Sequence, residues 1–307
     1  MPEYLIAILL NLVSSLLSWL IVFTALFLFY VLHLIRRRRN LLNFLGINPQ
    51  NLRIRVYFSS FLLNPGTVED LENKKTLWGG LAISAGEFQI IPDIDKWLSI
   101  LARRSNFFEY FFDYLSPKKF RTPFVQIEYL PSPRSYEDLK LINCTLILIG
   151  GPLHNLGTKL YYDQNLVFMR TNDWRIAVEV IRGKLAGRVL GPNINPNDHS
   201  QSDFKHPGID MAVLERQYDK ERNSTIFLAS GTGTNGTRAA ICYLISHWEE
   251  LNKRHKDTAF SICLECPRKA VEPGSPWASS IADQSCYQNS TLHLELPQGL
   301  SDRTTVL

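Results

Sequence analysis

No charged side chain occurs between residues 5 and 35, and that absence orders the rest of the chain. About 20 apolar residues suffice to cross the hydrocarbon core of a bilayer, so the run predicts a transmembrane helix with length to spare. Asn11, Ser14, Ser15 and Ser18 make its first half the more polar, which puts the deepest part at residues 16–34. A secretory signal peptide is excluded, because it carries its positive charge ahead of a core of about 7–15 residues. Here the charge follows the core, as Arg36, Arg37, Arg38 and Arg39. By the positive-inside rule that flank belongs in the cytosol. The expectation is a single-pass protein of the cell membrane, N-terminus outside and C-terminal domain cytoplasmic, with the bilayer as its first partner.

Other absences narrow the chemistry. There is no G-x-x-x-x-G-K-[ST] run, which removes the P-loop NTPases, and no H-E-x-x-H for a zinc hydrolase. Ser230 follows Leu228 and Ala229 and so lacks the G-x-S-x-G elbow of a nucleophilic serine. The net charge of +4 matches the arginine run, leaving the soluble part near neutral and without the basic stripe of a nucleic-acid surface. The five cysteines are odd in number and scattered, which in a cytosolic protein predicts free thiols. Cys263 and Cys266 have CxxC spacing, but no second pair exists, and strand positions three apart point to opposite faces.

What is present reads as α/β: an N-terminal transmembrane helix, then a Rossmann-like, mostly parallel open sheet with flanking helices. The predicted division is an anchor with its basic collar over 1–39, a linker over 40–51, a cytosolic α/β domain over 52–267, and a partly disordered extension over 268–307. Residues 52–58 alternate apolar and polar, as a half-buried strand does. Thr145–Ile149 is an unbroken apolar run suited to a strand buried on both faces of a parallel sheet. Further strands are expected at 125–130, 166–169, 176–181, 210–216, 224–229 and 260–265, with 291–296 as an edge. Helices are expected over 93–101 with Asp93 as cap, along the aromatic stripe Phe107, Phe108, Phe111 and Phe112, from about Asn155, and over 238–254.

Two glycine turns carry the functional signal. Gly231-x-Gly233-x-x-Gly236 lies between a strand and a helix, the context in which such spacing lets a backbone approach a ligand and leaves helix N–H groups free for an anion. Thr234, Asn235 and Thr237 add polar groups there, and Glu265, on the next strand, is the candidate ribose ligand, although it lies farther on than the usual spacing of about 20 residues. The second turn, Gly150-Gly151, ends another buried strand, with Asn155 and Thr158 after it. If the two strands are neighbours, Gly150, Gly151, Asn155, Gly231, Gly233, Thr234, Asn235, Gly236, Thr237 and Glu265 form one ligand-binding rim. Glu87, after Gly86, and Asp210 are the candidate catalytic carboxylates; His154 reads as a surface residue.

The chain resembles a group of membrane-anchored α/β proteins of bacteria, of the kind found in filamentous cyanobacteria. The resemblance rests on Tyr57-Phe-Ser59-Ser60, Gly79-Gly80 with Gly86-Glu87, Ile149-Gly150-Gly151-Pro152 with Asn155, and the turn-helix over 231–240. That group has no established activity, so the resemblance implies no catalytic residue. In outline the chain is also similar to nucleotide-recognising Rossmann-like modules joined to membrane segments in bacterial defence and signalling. The resulting expectation is a membrane-tethered sensor or signalling module for a nucleotide-like or phosphorylated ligand, pairing with a second copy through its anchor. A nucleoside- or NAD-cleaving hydrolase and a membrane scaffold are the alternatives.

Overall fold

The computed structural model describes residues 2–47, 52–62, 81–83, 87, 89–102, 125–133, 143–172, 177–183, 186–190, 209–220, 223–267 and 291–297. The aromatic stripe at 107–112, residues 173–176, residues 191–208 and most of the extension expected over 268–307 lie outside them.

Helix α1 (Pro2–Phe44) runs unbroken for 43 residues, about 65 Å at 1.5 Å per residue. Within it, Leu10–Phe44 is long and apolar enough to cross a membrane. Polar residues along it answer their own backbone: Ser18 Oγ donates to Ser14 O at 2.9 Å and Thr24 Oγ1 to Leu20 O at 2.7 Å. Leu16, Leu17, Trp19, Leu20, Ile21 and Phe29 are all exposed and are spread around the helix, so it shows an apolar surface on every side.

Its last turns behave differently. Leu41, Phe44 and Leu45 are fully buried, and Phe44 lies 5.3 Å from the Phe227 ring and 6.4 Å from Phe260. Residues 41–47 therefore belong to the domain core, whereas the sequence suggests a linker. The helix stops at Gly46 (φ 67°), whose N–H donates to Asn43 O at 2.9 Å while Ile47 N–H reaches Leu42 O at 2.8 Å. This is the left-handed glycine stop of a Schellman turn, with Leu42 and Ile47 buried as its hydrophobic clasp.

Among the described residues the main sheet has seven strands: β1 (Arg53–Phe58), β4 (Gln126–Pro131), β5 (Thr145–Ile149), β9 (Ile209–Asp219), β10 (Ser224–Gly231), β11 (Phe260–Pro267) and β12 (Thr291–Pro297), in the spatial order β4-β1-β5-β10-β9-β11-β12. The pairs β4–β1, β1–β5 and β5–β10 are parallel. The long strand β9 lies antiparallel between β10 and β11, and β12 is an antiparallel edge. Expectation and structure thus agree on an α/β fold with a parallel half, and differ where β9 enters against the others. Two smaller sheets join β2 (Ser60–Leu62) to β3 (Leu81–Ile83), and β6 (Met169–Asn172) to β7 (Ala177–Val180) to β8 (Val189–Leu190).

Among the described residues three further helices complete the layers: α2 (Ile91–Ala102), α3 (Leu156–Asp163) and α4 (Thr234–His255). Asp93 falls in the first turn of α2 and not at its cap, because the helix begins earlier at Ile91. One face of the sheet packs Val56, Phe58, Ile147, Ile149, Leu214, Phe227 and Ile262 under α2, α4 and the end of α1. The other packs Tyr57, Leu146, Leu148, Ile226 and Leu228 under α3, with the β6–β8 sheet covering Met211, Val213 and Cys263. Glu215 pins that small sheet down: its buried carboxylate accepts from Met169 N at 2.6 Å, Phe168 N at 2.9 Å and Ser261 Oγ at 2.6 Å. Cys263 joins the small-sheet cluster while Cys266 packs with Ala239 of α4, so the CxxC pair straddles the sheet, and neither forms a disulfide.

Among the described residues, the end of α1 meets the body near one edge of the sheet. Leu45 O accepts from Thr145 Oγ1 at 2.8 Å, at the first residue of β5, and Gly46 rests on Thr225 at the second residue of β10. Arg38 donates to Leu101 O near the C-terminus of α2, and Arg37 pairs with Glu249 in the C-terminal half of α4. The apolar helix thus docks toward the amino edge of the parallel strands, and the glycine turns sit on the carboxyl edge.

Candidate functional site

Strand order places both glycine turns on one rim. Ala229 pairs with Ile149, and Gly150 N–H donates to Ala229 O at 2.8 Å, so the ends of β5 and β10 are joined side by side. The connection from β1 leads to β4 on one side, while β5 lies on the other, so strand order reverses between β1 and β5. In open α/β sheets the crevice at such a reversal is the usual ligand site.

Glu87 sits at that reversal. Its carboxylate Oε2 accepts from Ser59 N, just past the end of β1, at 2.8 Å, and the side chain is buried. Gly150 adopts φ 110°, and a methyl built there would fall 1.7 Å from Ser59 Oγ and 3.0 Å from Glu87 Oε1. Only glycine lets the end of β5 lie this close to the Glu87–Ser59 pair. Burial pushes the Glu87 carboxyl up to about 7, against the opposing pull of its hydrogen bonds from Ser59. The native protein thus holds this proton more tightly than the unfolded chain does, so the contribution to stability is full below about 4.5 and is lost as pH rises through about 7. Glu87→Gln is expected to flatten that slope in a pH series of thermal melts of the full chain. An unchanged slope would place the titration elsewhere, with the similarly raised Glu215 the next group to replace.

At the other corner, β10 ends at Gly231 and α4 starts at Thr234, one turn earlier than periodicity suggests, so Asn235, Gly236 and Thr237 lie inside the first helical turn. Gly231 and Gly236 serve packing: added methyls would meet Thr237 N at 2.2 Å and Met211 O at 2.5 Å. Gly233 is the cap residue in extended backbone, and a methyl on it would lie 3.0 Å from both carboxylate oxygens of Asp210. A carboxylate therefore already stands beside the helix N-terminus, where the sequence suggests phosphate. From Ser59 to Asp210 the rim crosses three strand spacings, about 14 Å at about 4.8 Å each.

Several expected ligand groups turn out to be committed to structure. Asn155 is fully buried; its amide donates to Ile149 O at 2.8 Å and Tyr57 O at 3.2 Å, and its oxygen caps α3 by accepting from Gly157 N and Thr158 N. Thr158 Oγ1 donates to Gly150 O at 3.0 Å. Both shape the Gly150-Gly151 turn from beneath. Glu265 alternates with Leu264 and Cys266 and so shares the face of Ser261 and Cys263, across the sheet from α4. It cannot serve the glycine turn of α4 as a ribose ligand. Ser230 is likewise engaged, with Thr171 Oγ1 at 2.7 Å and Tyr162 Oη at 3.2 Å.

Two residues outside the expected set belong to the rim. Ser59 supplies the N–H that holds Glu87. Arg238, buried on α4, donates from Nη1 to Gln89 Oε1 at 3.0 Å and so ties that helix to the segment carrying Glu87. Its signal in the sequence is a cation one turn ahead of Ile241 on the apolar stripe of the helix. Comparison of the chain with protein families, curated proteins and solved structures finds no match, so the reading of the rim rests on its geometry.

Proposed function

We propose that the chain is a single-pass membrane protein whose cytosolic domain binds a nucleotide-like ligand, through its nucleoside part, at the carboxyl rim. The observation that supports this is the pairing of two glycine turns on neighbouring parallel strands, each with a carboxylate against it: Glu87 at Gly150 and Asp210 at Gly233. The parallel half, β4-β1-β5-β10, runs 2-1-3-4 in its own sequence order, as in the Rossmann-like sheets of flavodoxin type, whose ligand lies at the reversal between strands 1 and 3. Carboxylates accept hydrogen bonds from sugar hydroxyls and base amino groups and repel phosphate. The nucleoside is therefore the part gripped, and any phosphate extends away from Asp210. The arginine collar and the exposed apolar helix support the orientation with the domain in the cytosol and give two copies a surface on which to pair.

Thermal melts of the full chain in detergent test the binding. Nucleosides and NAD are expected to raise the midpoint, with the rise lost in Asp210→Asn, while inorganic phosphate does nothing. A ligand at about 100 times its Kd stabilises by about 2.7 kcal/mol, well within reach of the measurement. Silence from every nucleoside-bearing compound would remove the proposal, and a rise with phosphate alone would return the anion reading.

A second reading, hydrolysis, is favoured by the near-neutral carboxyl of Glu87, since a proton donor or acceptor works best with a pKa near the working pH. In it Glu87 takes a proton from a water whose oxygen bonds to C1′ as the C1′–N bond of NAD breaks and nicotinamide leaves neutral; with a nucleoside the proton taken up by Glu87 passes on to the departing base. Release of nicotinamide from NAD, abolished in Glu87→Gln, is the result that would separate an enzyme from a binding module.

A further inference from the structure

The amino edge of the sheet, where α1 docks, carries cations from four separate elements. Arg36 and Arg39 are exposed on α1 just ahead of its buried end, and Arg53 is exposed at the start of β1. Lys253, Arg254 and Lys256 are exposed at the end of α4, and Lys220 follows the end of β9. Among the acids nearby, Glu249 pairs with Arg37, Glu250 pairs with Arg254 and so offsets one of these cations, Asp219 accepts from Tyr161 Oη, Asp257 acts on Arg216, and Asp163 is exposed at the end of α3; the cations of the edge outnumber them. Arg216, buried over the Phe44 ring at 5.2 Å, donates to Lys256 O and fastens the basic end of α4 to β9 and to the anchor helix. The edge is thus one rigid surface with the helix rooted in it.

We infer that this amino edge is a docking surface for the anionic leaflet of the membrane that α1 enters, so that the carboxyl rim opens away from the bilayer. The inference rests on the reading of α1 as a membrane span. Three observations carry it. The helix is rooted at this edge and continuous with the core, so the edge cannot swing freely from the bilayer. Its exposed cations match an anionic headgroup layer, where each adds attraction within a Debye length of the surface. The six residues of β1 then hold Glu87 and both glycine turns about 20 Å from this edge. A ligand of the rim is accordingly a water-soluble molecule of the cytosol and not a lipid headgroup, and it reaches the anchor only through the body of the sheet.

Amide hydrogen exchange of the full chain in vesicles tests this. Residues 217–220 and 253–258 are expected to exchange at least roughly fivefold more slowly in vesicles containing phosphatidylserine than in phosphatidylcholine alone. The exposed triple variant Lys220→Glu, Lys253→Glu, Lys256→Glu is expected to remove the difference, while residues 150–154 and 231–236 exchange alike in both lipids. Equal exchange of the amino-edge segments in both lipids, or slowing at the glycine turns instead, would overturn the docking. Release of the protein from both vesicles by alkaline carbonate would overturn the membrane span itself, and the docking with it; retention alongside equal exchange would overturn the docking alone.

Discussion

Replacing Phe44 by alanine is expected to lower the unfolding free energy of the domain by about 3–5 kcal/mol, as for other large-to-small changes in a packed core. The residue lies at the end of an apolar helix, where a membrane anchor would tolerate the change. It is nevertheless fully buried among Phe227, Trp248 and Phe260, with the Arg216 guanidinium over its ring. Phe29→Ala, 72% exposed on the same helix, is the matched control and is expected to leave domain stability unchanged. Denaturant unfolding in detergent, followed by tryptophan fluorescence, compares the two. Equal small effects would mean that the helix end is a tether and not part of the core. The same experiment decides how to cut the protein: removing residues before 52 strips away Leu41, Phe44 and Leu45, so truncations are expected to fold poorly.

The second large effect separates packing from recognition within one glycine motif. Gly231→Ala drives a methyl to 2.2 Å from Thr237 N and 2.4 Å from Gly236 C, both backbone atoms that cannot yield without unseating the first turn of α4. A loss of about 3 kcal/mol or more is expected, at the severe end of single substitutions. Gly233→Ala meets first the carboxylate of Asp210, a side chain able to turn aside, and its backbone is extended, so the expected cost is under about 1 kcal/mol. Its effect should fall on ligand instead, weakening any nucleoside-induced rise in melting temperature. Equal destabilisation by both variants, with ligand response intact in Gly233→Ala, would make the whole turn a packing device.

Much of the fold was legible because periodicity and burial agree. The apolar runs at Thr145–Ile149 and Ser224–Gly231 form strands buried along their whole length, and the helix after Gly233 has its predicted face inward. The antiparallel course of β9 was not legible, since a buried strand reads alike in either direction. Its neighbour across the sheet is fixed by hydrogen-bond register and not by composition. The buried end of α1 was half legible: Asn43-Phe-Leu-Gly46 is a helix stop in plain view, but the long apolar run before it masks where exposed surface gives way to core. In the site, residue type misled. Asn155 and Thr158 look like ligand groups beside a glycine turn, yet their hydrogen bonds run to Ile149 O, Tyr57 O and Gly150 O, partners that sequence spacing does not reveal. Glu265 is on the expected strand and on the wrong face, a distinction of one residue in the alternation. Glu87 was found by its neighbour Gly86, while Ser59, which holds it, is distant in sequence and meets it through a hydrogen bond just past the end of β1.

The claim that a nucleoside sits across the two glycine turns is tested most directly by a crystal structure of the full chain soaked with the nucleoside that stabilises it most. Density is expected along the rim between Gly151 and Gly233, with a sugar or base group within hydrogen-bond distance of Glu87 or Asp210. Density at any other surface, or an empty rim at a saturating concentration of a compound that raises the melting temperature, would contradict it.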